Sequence, residues 1–398
     1  MNSRTIGSIF LIIGTTIGAG MLSLPLIVAS CGFVCAVILL ILSWSVMYIT
    51  ALKLLSVCER YPIGANFTTM MHKSFSKFYL IIFSIIYLLL LYSLLAAYTT
   101  QGSSLISMLA DVSDNSSKSQ VGISSIIFIL IFVAFMFSYK ASDYTNRIFV
   151  ILKFAFFIIA MVVMLFYINV DYLDDGPSGV SSFIYAWPTL LPAFGFHNII
   201  PVIYEYQKGD IKSIKKSIFI GSICVLVVYI IWIFLALGVV PQHNIHSYHS
   251  LFKLGNDTPS GLVNEIKAIS GSNTLELALN LFIHIAVITS FIGVGISLMH
   301  YIRDIFARYN KHIKNLTLTV ICFIPPLIFT VFYPRGFILA LQYAAIFAVI
   351  IFVYTPTFLS ASKNLKVNFS HVYVIAMGSA VILFEVFNLC FDINPFLS

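Results

Sequence analysis

The chain has 398 residues, 60% of them hydrophobic and only 9% charged, with a formal net charge of +7. A soluble core of this composition would lack the polar residues needed to face water, so a water-soluble globular domain is excluded and a membrane protein is expected. The basic excess gives no reason to invoke nucleic acid, because membrane topology accounts for it.

Apolar stretches of about 20 residues, enough to cross ~30 Å of hydrocarbon, fall at 6–29, 33–57, 78–109, 122–139, 147–170, 183–204, 218–240, 274–300, 316–334, 337–360 and 369–391. They predict an all-α polytopic protein with eleven transmembrane helices. Short cytoplasmic loops retain Lys and Arg. With the N-terminus inside, that side holds Arg4, Lys53, Arg60, Lys73, Lys77, Lys140, Arg147, Lys153, Lys208, Lys212, Lys215, Lys216, Arg303, Arg308, Lys311, Lys314, Lys363 and Lys366. Only Lys118, Lys253, Lys267 and Arg335 remain outside, a split of 18 to 4. The N-terminus is therefore expected in the cytoplasm and the C-terminus on the periplasmic side.

The longest connection, residues 241–273, is a His- and Ser-bearing external loop. The six cysteines lie in or beside spans without ligand-like or disulfide-like spacing and read as packing residues. No G-x-x-x-x-G-K-[ST], H-E-x-x-H or G-x-S-x-G occurs, which argues against a nucleotide-driven pump and an intramembrane hydrolase. No cofactor or metal is expected, and the lipid bilayer is the expected environment.

Spans one and six share an anomaly. The first is interrupted by GTTIGAG, residues 14–20, and the sixth carries Pro188, Pro192 and Pro201 around FGFH, residues 194–197. An odd number of spans per repeat inverts the second copy, so five spans, five inverted spans and one extra account for all eleven. The expected division is 1–173, 180–362 and 369–398. Paired interruptions in corresponding positions of two halves point to a secondary transporter's binding site near the midplane. Close helix packing is the plainer use of Gly14, Gly18 and Gly20. The added Thr15, Thr16 and Pro25 and the matching defect in span six favour an unwound ligand cradle. Unwinding exposes backbone groups that protein or ligand must satisfy. A zwitterion suits them: N–H groups at the start of the outer half-helix, near Gly20, meet a carboxylate, and carbonyls around Thr16 and Phe194 meet an ammonium; Thr15, Thr16, Gly18, Ala19 and Gly20 are the candidate binding residues.

The segments RTIGSIFLIIGTTIGAGMLSLPL, FGFH, TSFIGVG (residues 289–295) and FYPRGF (residues 332–337) resemble the bacterial hydroxy and aromatic amino acid permease family over essentially the whole chain. FYPRGF with FGFH is most similar to its tyrosine-specific members. That family belongs to the amino acid/polyamine/organocation transporters. The resemblance implies their leucine-transporter-type fold of two inverted five-helix repeats, with substrate between broken helices one and six. It also implies proton-coupled uptake of an aromatic amino acid, most similar to L-tyrosine permeation, in a bacterial inner membrane. A monomer is expected.

Phe194 and Phe196 flank the second break, around Gly195, and are candidates to sandwich an aromatic side chain. Tyr92 and Tyr98 are added by resemblance, since the third helix faces the site in that fold. His197 and Asn198 are candidates to bond a substrate hydroxyl, which would reject analogues lacking one. Lys153 either snorkels to the cytoplasmic face or, as the resemblance implies, supplies the amine that stands where sodium-coupled relatives hold a cation. Thr289 and Ser290, whose paired hydroxyls resemble the sodium-binding pattern of that fold, are the alternative cation site, although helix hydroxyls commonly bond their own carbonyls. Glu276, Asn280 and His284 make one polar stripe on span eight, and His284 is the candidate proton relay. Glu385 is expected near the external surface, and Arg335 either caps a helix junction or gates the outside.

The sequence therefore predicts a proton-coupled symporter of an aromatic amino acid working by alternating access, with no enzymatic chemistry. A tryptophan or broad aromatic permease and a sodium symporter are the alternatives. A channel or an intramembrane enzyme is a weaker one.

Overall fold

The computed structural model describes residues 3–64, 70–71, 76–110, 118–137, 139–173, 179–308, 312–361, 368–391, 393 and 396. Lys73, Lys311, Lys363 and Lys366 of the topology argument lie outside the described residues, as do the side chains of Lys118, Lys140 and Arg147.

Every expected span is helical, and the described residues contain no strand. The first span is α1 (Ser3–Thr16), a 3-10 turn (Ala19–Ser23) and α2 (Leu24–Val28), after which Gly32, at φ +74°, reverses the chain into α3 (Gly32–Cys58). That left-handed conformation is one L side chains resist. Next come α4 (Lys77–Leu109), α5 (Lys118–Phe137) and α6 (Tyr139–Met164). The sixth span is α7 (Val180–Leu190), two 3-10 turns (Pro192–Phe194 and His197–Ile199) and α8 (Ile200–Tyr206). Then follow α9 (Ile211–Val239), the loop helices α10 (Tyr248–Lys253) and α11 (Pro259–Ser270), α12 (Asn273–Arg308) and α13 (Asn315–Phe332). The tenth span is α14 (Phe337–Ala348), a π turn (Val349–Tyr354) and α15 (Thr355–Ala361), and α16 (Phe369–Phe391) is the eleventh.

One boundary differs from expectation. The polar stretch after span four continues as the start of α6, because it holds no Gly or Pro to break a helix. The long connection between spans seven and eight is itself partly helical: Ser247 and Thr258 cap α10 and α11 by accepting from the Ser250 and Gly261 N–H groups.

The packing repeats itself five spans apart. The contact of α6 with α12 is matched by α14 with α4, and that of α1 with α9 by the halves α7 and α8 with α3. The pairs α4 with α5 and α12 with α13 correspond in the same way. The eleventh helix, α16, lies against α7. The central core runs between these helices, and its buried members include Ile17, Ala19, Phe157, Phe194, Tyr229, Trp232 and Phe291. A second cluster, with Ile12, Phe196, Ile200 and Ile203, packs on the side of the N-terminus.

Candidate functional site

The first break follows directly from its residues. The Ile17 N–H makes a last helical bond to the Ile13 carbonyl at 2.9 Å, Gly18 is extended at φ −144° and ψ −156°, and winding resumes at Ala19. A Cβ on Gly18 would lie 3.0 Å from Ser290 Oγ, whereas one on Gly14 or Gly20 would meet nothing within 4 Å. The glycine at 18 thus permits close approach of α12, and those at 14 and 20 leave open space.

In hydrocarbon the freed backbone groups need partners, and side chains from three other helices provide them. Tyr229 of α9 donates to the Thr16 carbonyl at 2.8 Å. Lys153 of α6 donates through Nζ to the Ile17 carbonyl at 2.7 Å. The Ala19 N–H donates to Ser290 Oγ of α12 at 3.2 Å, and Trp232 of α9 donates to the Met21 carbonyl at 3.1 Å.

At the second break, Pro188 and Pro192 each lack the N–H a helix needs, and the chain crosses Gly195 and Phe196 in non-helical conformation. Pro201 falls in the first turn of α8, where no N–H is required. Tyr229 reaches this break as well: its hydroxyl lies 2.8 Å from the Ala193 carbonyl, and its ring packs on Phe194 at 5.1 Å and 58°. One fully buried phenol therefore touches both broken helices.

The structure brings together Thr16, Gly18, Ala19, Ser290, Lys153 and Phe194, with the Tyr98 hydroxyl turned toward Ser290. Thr16 bonds its own helix at the Ile12 carbonyl, 2.7 Å. Thr15 and Asn198 are exposed, and Gly14, Gly20 and Gly195 are half-buried. Lys153 is only 2% exposed and so does not snorkel. Its amine is 5.4 Å from the Phe154 ring centroid and has no carboxylate in ion-pair range among the described residues.

Other candidates lie elsewhere. Tyr92 donates to the Ile321 carbonyl of α13 at 2.9 Å; that carbonyl is the one Pro325 cannot serve. Phe196 is in the N-terminal-side cluster. His197 Nε2 bonds Thr50 Oγ1 of α3 at 2.9 Å, and its ring stacks on Phe352 at 5.1 Å. Thr289 bonds back to the Ile285 and Ala286 carbonyls at 2.9 and 3.1 Å. His284 is buried with both ring nitrogens unpartnered. Glu276 pairs with Lys267, and Arg335 donates to the Leu254 carbonyl in the loop between α10 and α11 at 3.2 Å.

Glu385 is fully buried, because it lies on the interior face of α16 with Val381 and Asn388.

Tyr229 and Trp232 were not singled out by sequence reasoning. Among 21 tyrosines, the usable signal was two aromatic residues with polar tips three positions apart, hence on one face, in a span packed on the interrupted helix.

Two broken helices held by side chains of their neighbours define a transporter fold. Mhp1, described as a nucleobase-cation-symport-1 family transporter in a closed conformation with bromovinylhydantoin bound, superposes with a TM-score of 0.61 over 97% of this chain and 91% of its own, at 13% identity. The chain belongs to the tryptophan/tyrosine permease family, whose model matches residues 1–393. It is 36% identical to the tyrosine-specific transport system 1 of Haemophilus influenzae, over 86% of this chain and 84% of that one. It is 31% identical to the low affinity tryptophan permease of Escherichia coli (90% and 87%) and 30% to the tryptophan-specific transport protein of H. influenzae (98% and 95%). The protein is thus a multi-pass membrane permease of an aromatic amino acid family, not an enzyme.

Proposed function

We propose that this permease imports L-tyrosine by proton symport with alternating access, as a monomer in a bacterial inner membrane, with the N-terminus cytoplasmic and the C-terminus periplasmic. The observation that carries the coupling is the buried Lys153 amine on the Ile17 carbonyl, at the first break. A cation is held where the helix is open, without a compensating carboxylate, and an amine can release its proton as the surroundings change.

Tyrosine over tryptophan is supported by the 36% identity to a tyrosine-specific system. The orientation is supported by the distribution of Lys and Arg. The packing that recurs five spans apart supports repeats at 1–173 and 180–362, with residues 369–398 additional. Substrate would lie between the breaks, its carboxylate at Gly18, Ala19 and Gly20, its ammonium toward the carbonyls at Thr16 and Ala193, and its ring near Phe194 and Tyr98. Thr15, Gly195 and Asn198 border this space, Tyr92 and His197 tie the surrounding helices to α13 and α3, Phe196 packs in the N-terminal-side cluster, and His284 is a further proton-handling group.

Alternating access is supported by unequal sides. Beyond the break, Trp232 holds the Met21 carbonyl and Gln242 the Ala29 carbonyl, all buried. Toward the N-terminus, Thr15, Asn198 and Gly293 are exposed. The energetics permit symport: one charge crossing ~100 mV is worth about 2.3 kcal/mol, and tenfold accumulation of a net-neutral solute costs about 1.4 kcal/mol. One proton per substrate then supports roughly fiftyfold accumulation.

Sodium coupling through Thr289 and Ser290 is the second reading. It is favoured less because Thr289 is bonded to its own helix and Ser290 to Ala19. The test is uptake of labelled tyrosine into proteoliposomes under an imposed proton gradient without sodium. Accumulation is expected; absence of tyrosine uptake sinks the substrate assignment, and a strict sodium requirement sinks the coupling.

A further inference from the structure

The backbone oxygens suited to a substrate ammonium already have an occupant. The Thr16 carbonyl ends α1, and the Ala193 carbonyl lies in the 3-10 turn of the second break; Tyr229 Oη is 2.8 Å from each. A phenol has one proton, whereas each carbonyl oxygen has two lone pairs and the phenol oxygen has its own. Three oxygens thus converge with one hydrogen among them. When Tyr229 donates to one carbonyl, the other keeps its lone pairs unserved by Tyr229, and Oη still accepts. The C-terminal end of α1 adds the partial negative charge of its helix dipole. What such a cluster lacks is donors, and a primary ammonium carries three. Charge-assisted bonds to it gain strength in a buried setting.

We propose that Tyr229 positions the α-amino group of the substrate, joining the Thr16 and Ala193 carbonyls into one ammonium-binding cluster that spans both breaks. The inference rests on an amino acid as substrate. It accounts for a feature that packing does not: Phe194 and Tyr229 would pack as well with a phenylalanine at 229, but the two breaks would lose their common hydrogen-bond partner. Trp232, one turn further along α9, serves only the Met21 carbonyl and so provides the comparison.

The test is competition against labelled tyrosine uptake in proteoliposomes by two analogues, 3-(4-hydroxyphenyl)propanoate, which lacks the amine, and tyramine, which lacks the carboxylate. In Tyr229→Phe the half-saturating tyrosine concentration should rise about tenfold, the change that about 1.4 kcal/mol produces. Inhibition by the propanoate should not move, so discrimination for the amine shrinks by that factor. Tyramine should weaken in parallel with tyrosine, leaving discrimination for the carboxylate intact. Trp232→Phe should move tyrosine and the propanoate together. Equal shifts of tyrosine and the propanoate in Tyr229→Phe, or no shift, overturn the proposal.

Wild-type protein gives an independent reading. Competition should weaken from tyrosine to N-methyl- to N,N-dimethyltyrosine as donors are removed, and equal potency across the three overturns the proposal without any substitution. Failure of the wild type to take up either tyrosine or tryptophan removes the substrate reading and the inference with it. Uptake with unmoved amine discrimination removes the inference alone.

Discussion

Lys153 Nζ donates to the Ile17 carbonyl at 2.7 Å, so the one fully buried amine at the site holds the first helix at the residue where it unwinds. If this amine gains and loses the coupled proton, Lys153→Ala should separate two activities. Gradient-driven accumulation should fall from roughly fiftyfold toward equality. Exchange of internal for external labelled tyrosine, which needs no net proton movement, should persist. Accumulation that survives Lys153→Ala removes Lys153 from coupling. Lys153→Arg should also abolish accumulation, because a guanidinium does not deprotonate in proteins.

The glycines of the first break should not be equivalent. At Gly18 a methyl group would press on Ser290 Oγ at 3.0 Å and disturb the bond that Ser290 accepts from Ala19. Loss of one such bond is worth about 1 kcal/mol, so Gly18→Ala should slow tyrosine uptake by roughly fivefold. Gly14 is inside α1 with no neighbour in the way. Gly14→Ala should leave the fold intact and raise thermal stability in detergent, by about 0.5–1 kcal/mol from helix propensity. Equal effects of the two substitutions would contradict this assignment of close approach to Gly18 alone.

The breaks in spans one and six were legible because glycine and proline leave local marks, and Lys153 stood out because a lysine deep in hydrocarbon is rare. The partners of the breaks were not legible. Tyr229 and Trp232 act on residues some 200 positions away in the chain, and nothing in a single sequence records such pairing. Tyr92 shows the converse. It lies on α4 within the expected helix, but the helix face it occupies turns its hydroxyl to Ile321 of α13. The polar run after span four misled for a local reason: charged residues suggest a loop, yet Ala, Lys and Asp continue a helix when no Gly or Pro stops it.

The Tyr92 hydroxyl serves the carbonyl that Pro325 orphans, so Tyr92→Phe should lower stability rather than alter recognition. A buried acceptor left without its donor costs about 1–3 kcal/mol. Thermal unfolding in detergent should shift downward by that amount, while the half-saturating tyrosine concentration stays within about twofold of wild type. A large change in half-saturation with unchanged stability would instead place the hydroxyl at the substrate.

The interface of α16 with α7 should show substitutions of opposite sign. Pro188 cannot donate to the Ile184 carbonyl, and Asn388 Nδ2 of α16 donates to it at 2.9 Å. Asn388→Leu strands that carbonyl and should destabilise by about 1–3 kcal/mol. Glu385, three residues earlier and so on the same face of α16, is fully buried, with the Asn388 side chain as its polar neighbour. Burying a carboxyl costs desolvation free energy that one side-chain contact offsets only in part, and an apolar residue of similar volume removes that cost. Glu385→Leu should therefore raise the unfolding temperature in detergent while Asn388→Leu lowers it. A drop in stability for Glu385→Leu as large as that for Asn388→Leu would show that the contact of the carboxyl with Asn388 outweighs its desolvation cost.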